Sequence, residues 1–316
     1  MTIETDMPRT AKKAGQLVAA SERQSFDPFT EIDWSAPLDD SAFHLPPEFL
    51  PLYGTEIWNA MTEVEQRAYS RHEAAALCGA GIWFENLLIQ AVMRHLATLP
   101  VTDPSHRYLL VEVADECRHS MMFGEYIRRA GTPAYSPPLD GPLAGSALQQ
   151  MADQPIGRII SYTLILTIEE LLDVCNRATM SDERVNQTSR QIARIHVLEE
   201  ARHVSFARTF VSELWPTLTD VEKQTAATFA RMAVASISGL VVNPDVYTTL
   251  GIEGGTEAAV ANPNHQARVR RDLGKLTSFL SELGMITDAD RPLWVQMGLM
   301  EVSEGSSQGE PIGLPA

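Results

Sequence analysis

Only three of the 316 residues are cysteine, and no two form a Cys-x-x-Cys pair. Cys78, Cys117 and Cys175 are odd in number and widely spaced, which excludes a disulfide framework or a zinc ribbon. They read as reduced core thiols of a cytoplasmic protein. Basic charge is scarce too: 25 Lys and Arg stand against 41 Asp and Glu, a net charge of −16. Nucleic acid and anionic membrane are both recognised through a basic face, so neither partner suits this balance. The N-terminal MTIETDMPRTAKKAGQ lacks the apolar core of a signal peptide. The apolar runs read as shorter than the roughly 20 residues that span a bilayer. Sustained apolar–polar alternation between hairpin turns is also missing. The acidic excess suits a soluble protein, and some Glu residues could be neutralised by bound cations.

Helix punctuation is what the chain has in quantity. Residues 1–26 are polar and uneven, and are expected to form a flexible tail. Residues 27–60 are rich in proline and aromatics, so an irregular segment lying over a core is expected. Thr62-Glu63-Val64-Glu65 has the form of a capping box, with helical pattern to about Thr98. Asp103-Pro104 opens a second helix that Gly131 closes. Residues 132–143 hold four prolines and suit a long crossover. Helical pattern resumes over 155–179, then from Ser181-Asp182-Glu183 to about 214, from Thr219 to about 242, and from Asn264 to about Gly284. The expected fold is all-α: a single domain over 27–303, with four long helices at about 60–215 forming a bundle and extra C-terminal helices outside it. Residues 304–316 are polar and expected to be a flexible tail.

Inside two of these helices the chain repeats one pattern, Asp115-Glu116-Cys117-Arg118-His119 and Glu199-Glu200-Ala201-Arg202-His203. Residues three apart share a helix face, so Glu116 with His119, and Glu200 with His203, can each address one point. Carboxylate plus imidazole is an N/O donor set that suits iron or manganese. A dinuclear carboxylate site in a bundle needs one further Glu from each of the other two helices. Glu85 meets that need on the stripe Cys78, Ile82, Leu88, Ile89, Val92, where an unpaired carboxylate is costly to bury. In the third helix Glu169 faces Tyr162, Ile165, Leu166 and Leu172. Its neighbour Glu170 faces polar residues and is expected to be solvated or paired with Arg177. His196, four before Glu200, is a further ligand or a core histidine bonded to a carbonyl. Asp115 and Glu199 are placed to accept the second N–H of a ligand imidazole, with Arg118 and Arg202 balancing their charge. Glu112 occupies the place before the first pair that His196 holds before the second. It is expected to bond an outer arginine or to add a carboxylate near the metals. The bland alternative, ion pairing with Arg118 and Arg202, leaves four carboxylates facing two cations.

With these residues placed, the chain resembles the ferritin-like di-iron oxygenases, and among them the p-aminobenzoate N-oxygenase (AurF-type) family. The resemblance covers about residues 60–215. It rests on His196 before Glu200-Ala201-Arg202-His203 and on the spacing from Glu169 to Glu200. It implies a seven-ligand site of Glu85, Glu116, His119, Glu169, His196, Glu200 and His203. It also implies two iron ions, with manganese able to substitute, and O2-driven oxidation of a small-molecule amine from arylamine to hydroxylamine, nitroso or nitro. An external electron donor is implied as well. The Arg in both motifs is closer to multicomponent hydroxylases and acyl-carrier desaturases, which lack the extra histidine. A C–H hydroxylase or desaturase acting on a carrier-bound or lipid-like substrate is therefore the rival enzyme, and an iron-storage protein the rival of another class. Gly79, Ala80 and Gly81 leave room beside the metals or allow close helix packing. Tyr69, Trp83, Phe84 and Tyr162 line a pocket or belong to the core. The apolar helices after 219 call for cover, which suits a homodimer.

Overall fold

The structure is a computed structural model that describes residues 7–137 and 154–301. The expected C-terminal tail at 304–316 and the later part of the proline-rich crossover lie outside the described residues. Among the described residues there is no strand, only one isolated bridge between Phe43 and Val185.

Four long helices make the bundle: α4 (Glu63–Leu96), α5 (Pro104–Ala130), α6 (Pro155–Ser181) and α7 (Gln187–Leu214). Their ends follow local chemistry. Thr62 and Glu65 form a reciprocal capping box at the start of α4. The Asp103 side chain accepts from Ser105 N at the start of α5, and Gly131 closes that helix with φ 64°. The Ser181-Asp182-Glu183 start expected for α7 is corrected to Asn186, whose side chain accepts from Ser189 N. Residue 182 instead closes α6, because its amide still bonds to Ala178 O. α4 packs along α5 and α6 along α7, and the two hairpins meet through α4 with α6 and α5 with α7.

The expectation of a flexible tail at 1–26 is corrected over Pro8–Arg23, which forms α1 and lies against α5 and α7, while residues 1–6 lie outside the described residues. Its buried face is Thr10, Ala14, Leu17, Val18 and Ser21, a helical period carried largely by small residues. Met7 cannot cap it. Glu213 does so from α7, accepting from Arg9 N at 3.0 Å, Thr10 N at 2.7 Å and Thr10 Oγ1 at 2.7 Å. Residues 24–62 carry two short helices, α2 (Pro28–Glu31) and α3 (Glu56–Ala60). They otherwise strap the bundle with Phe26, Ile32, Leu45, Leu50, Leu52 and Trp58 turned inward.

Beyond the bundle, α8 (Asp220–Gly239) starts in a Thr219–Glu222 capping box and packs on α6. The single helix expected from Asn264 to Gly284 is two, α11 (Pro263–Asp272) and α12 (Gly274–Glu282). Short helices α9 (Pro244–Leu250), α10 (Gly255–Ala261) and α13 (Arg291–Gln296) complete the outer layer. The expectation that the apolar runs are too short to span a bilayer is corrected for two stretches, Glu63–Leu96 and Asp220–Leu250, which are long and apolar enough by length and composition. In α4 that hydropathy serves a bundle core, and the same helix buries Glu73 and Glu85. Of the three cysteines only Cys175 is a buried core thiol. Cys117 is exposed, because it points away from the face that carries Glu116 and His119.

Candidate metal centre

α4 contributes Glu85, α5 contributes Glu116 and His119, α6 contributes Glu169, and α7 contributes His196, Glu200 and His203. All seven are buried, none more than 2% exposed. Their donor atoms form three overlapping groups: Glu85 with His119 and His196, Glu116 with His119 and Glu200, and Glu169 with His196 and Glu200. Within each group the atoms lie within 4.8 Å of one another. His203 joins the cluster through Nδ1, 2.9 Å from Glu116 Oε1 and 3.0 Å from Glu200 Oε2. His119 mirrors it, with Nδ1 2.8 Å from Glu116 Oε2 and 3.1 Å from Glu200 Oε1.

The other ring nitrogens are held crosswise. His119 Nε2 lies 2.9 Å from Glu199 Oε2, and His203 Nε2 lies 3.3 Å from Asp115 Oδ2. Each acid therefore serves the imidazole of the other motif. Each acid stands four residues before the histidine of its own motif and close to it in angle, so the helical period alone does not choose the partner; the packing of α5 against α7 does. Arg118 and Arg202 both reach Asp115, the latter at 3.2 Å, and Arg202 also lies 3.4 Å from Glu199. This arrangement fixes both imidazoles with Nδ1 turned to the carboxylates.

Charge shows what the cluster lacks. Burial, together with Glu116, pushes the Glu85 carboxyl well up, and burial with Glu200 does the same to Glu169. Burial would also raise Glu116 and Glu200, but His203 and His119 outweigh it and both carboxyls are pulled down. Against their own burial, His119 and His203 are driven well up by the carboxylates around them. His196 goes the other way, to about 4, through burial. Without a cation, Glu85 and Glu169 are thus held toward the protonated form and His119 and His203 toward the charged one. Glu85 Oε2, Glu169 Oε2 and His196 Nε2 are moreover buried without a hydrogen-bond partner. Buried polar atoms are rarely left so. Divalent cations would satisfy those atoms and replace the protons, so the residues fit a dinuclear metal group.

Two expectations around the cluster are corrected. Glu112 bonds no arginine: it is fully buried, neither oxygen is hydrogen-bonded, and burial pushes its carboxyl up to about 8. Arg118 and Arg202 are drawn to Asp115 instead. Glu170 is neither solvated nor paired with Arg177. It is buried in a two-point ion pair with Arg208, at 2.7 Å through both Nε and Nη2, while Arg177 bonds Asp173 at 2.8 Å. Asn176 went unnoticed in the sequence although it lies two turns from Glu169 on the same face. Its amide is 3.0 Å from His196 Nδ1. The near atom is Nδ2, which donates to the ring as placed; a metal on His196 Nε2 would leave the proton on Nδ1 and require the Asn176 amide to turn so that Oδ1 accepts it. The small residues of α4 serve packing: a Cβ on Gly79 would lie 2.1 Å from Tyr135 O, and one on Gly81 would lie 2.9 Å from the Phe123 ring. Gly81 thereby admits Phe123, whose centroid lies 5.4 Å from that of His196 and 6.4 Å from that of His119. Of the aromatics expected to line a pocket, Phe84 does so, while Tyr69 and Tyr162 are core.

The family model described as p-aminobenzoate N-oxygenase AurF matches residues 7–284. The chain belongs to the AurF family. This is a family of di-iron proteins, and the four-helix cluster lies wholly within the matched region. The match begins at α1, so this helix is part of the family's domain. Among curated proteins the AurF-family chain is similar to an uncharacterized protein of Mycobacterium tuberculosis, at 28% identity over 234 residues, covering 72% of this chain and 68% of the relative. An uncharacterized protein of Mycobacterium bovis matches to the same extent.

Proposed function

We propose that the protein is an O2-dependent di-iron N-oxygenase that oxidises the nitrogen of a small amine, taking an arylamine to the hydroxylamine and on to nitroso or nitro. The observation that carries this reading is the meeting of seven N and O donors from four helices in one buried cluster. Membership of the AurF family supports it. Glu85, Glu116, His119, Glu169, His196, Glu200 and His203 would hold two iron ions, and the same donors accept manganese. Bound there, the metals would supply the electrons that reduce O2 and the oxidising power delivered to the nitrogen.

The chain's own part is positioning and exclusion. Glu199 and Asp115 hold His119 and His203 by their Nε2 atoms, so that Nδ1 faces the carboxylates. Phe123 covers His119 and His196 on one side. Burial keeps water from the cluster, which protects a reactive oxidant from being wasted. Arg118 and Arg202 both end on Asp115, so the arginine of each motif is accounted for by charge balance and does not favour C–H chemistry. The remaining partners in this reading are O2, an external electron donor and a second copy of the chain.

The test is direct. Protein loaded anaerobically with ferrous iron is given O2 with a mixed panel of arylamines, alkylamines and fatty acyl substrates, and products are read by mass spectrometry. N-oxidised arylamine is the expected product. Oxygen consumption with products oxidised only at carbon would overturn the assignment, and so would an absence of bound metal.

A further inference from the structure

A cavity of about 50 Å³ lies against His196, lined among others by His44, Leu45, Leu77, Phe123, Tyr126 and Leu172. It is mostly apolar, and no lysine or arginine is among its described lining residues. Leu45, Leu77 and Leu172 are also walls of a second cavity of about 60 Å³. An apolar cavity of ~150 Å³ takes a benzene ring, so an aromatic substrate needs these leucines to yield. Leu45 is the one that sits on the irregular strap and not on a helix.

His44, beside it, is 1% exposed, and its Nε2 has no hydrogen-bond partner. Its hydrogen bond to Tyr126 sets which of its nitrogens carries the proton. Tyr126 Oη lies 2.7 Å from His44 Nδ1. A phenol is a stronger acid than a neutral imidazole N–H, and an imidazole nitrogen is a stronger acceptor than a phenol oxygen, so Tyr126 donates. Nδ1 is the acceptor, and the proton sits on Nε2. Burial holds the ring neutral by pushing its pKa down to about 4. The backbone is pinned as well, with His44 N and Leu45 N both donating to Ser70 Oγ at 2.7 and 3.0 Å. The protein thus holds a pinned, neutral N–H donor without a partner on a side chain that lines a cavity reaching the candidate centre.

We propose that this cavity receives the substrate and that His44 Nε2–H binds a neutral hydrogen-bond acceptor, an amide, ester, ketone or hydroxyl oxygen, on the part of the arylamine remote from its nitrogen. The proposal rests on the N-oxygenase reading for the amine, and adds what the far end of the substrate must be. A carboxylate there would be buried without a counter-charge, which is costly. The preferred substrate is therefore uncharged at that end, unlike p-aminobenzoate.

The test is binding, measured by calorimetry on metal-loaded protein without O2, of p-aminobenzamide, p-aminobenzoate and p-toluidine. The amide is expected to bind about tenfold tighter than either of the others, as one satisfied buried hydrogen bond allows. His44→Phe should abolish the amide's advantage over p-toluidine, so that the two bind alike in the variant. Tyr126→Phe, which frees the His44 tautomer and keeps the ring in the cavity wall, should weaken the amide more than p-toluidine. Equal or tighter binding of p-aminobenzoate would overturn the proposal, as would a preference that survives His44→Phe. If none of the three binds to loaded, folded protein, the proposal also fails. Binding with this selectivity but no turnover to N-oxidised product would leave the cavity assignment standing and defeat the N-oxygenase reading.

Discussion

The crosswise arrangement makes a prediction that residue order alone would get wrong. Glu199 precedes the ligand Glu200 on α7, yet its Oε2 accepts from His119 of α5 at 2.9 Å. Its other oxygen faces Arg202 and Phe26 N, each at 3.4 Å. Glu199→Gln preserves the shape and removes the charge that polarises the His119 ring. Loss of such an outer partner weakens a metal site about 10–100-fold, which is about 1.4–2.8 kcal/mol. The measurement is an anaerobic ferrous-iron titration by calorimetry, with a thermal melt of each variant as a control for folding. In a His203→Ala background the change should have its full effect. In a His119→Ala background it should have almost none, because the ring it acts through is gone. The pair is a double-mutant cycle, and the coupling belongs to Glu199 and His119. Equal losses in both backgrounds would refute the crosswise assignment, and so would wild-type iron affinity in Glu199→Gln.

Three further outcomes follow from the same geometry. Leu17→Ala on α1 should destabilise the fold by about 2–4 kcal/mol in a urea titration, as for other buried leucines; a loss below about 0.5 kcal/mol would mean that the helix is not docked. Glu73, in the wall of the ≈60 Å³ cavity, has its carboxyl pushed by burial from 4.5 to about 7. The folded protein holds that proton more tightly than the unfolded chain, so stability falls as pH rises between those values and stays reduced above 7. Glu73→Gln should remove that slope and add up to roughly 3 kcal/mol at pH 8, and an unchanged profile in denaturant titrations at several pH values would contradict it. Gly79→Ala places a methyl against Tyr135 O, which must then move. A loss of about 1–3 kcal/mol is expected in the same titration, and a neutral change would show that the 132–137 segment yields freely.

Much of this protein was legible along the chain because helix chemistry is local. Capping residues at Thr62, Asp103 and Thr219 act within one turn, so the helix starts follow from the residues themselves. The same is true of Glu116 with His119 and Glu200 with His203, whose shared faces are set by a 3.6-residue period. Glu169 could be separated from Glu170 because an apolar stripe identifies the inward face. α1 escaped notice because its buried face is mostly Thr, Ala and Ser, and because its cap, Glu213, comes from a distant helix.

Sequence by itself determined the all-α class, most of the bundle's helix ends and the two Glu-x-x-His pairs. Tertiary structure alone decided which acid serves which histidine. It also decided that both arginines converge on Asp115, that Glu112 is left without one, that Glu170 pairs with Arg208, and that His44 is carried from the N-terminal strap to the wall of the cavity. The division has one physical cause. Contacts within a helix depend on spacing that can be counted along the chain. Contacts between helices depend on register and rotation, which are settled only when the side chains of the whole bundle pack together.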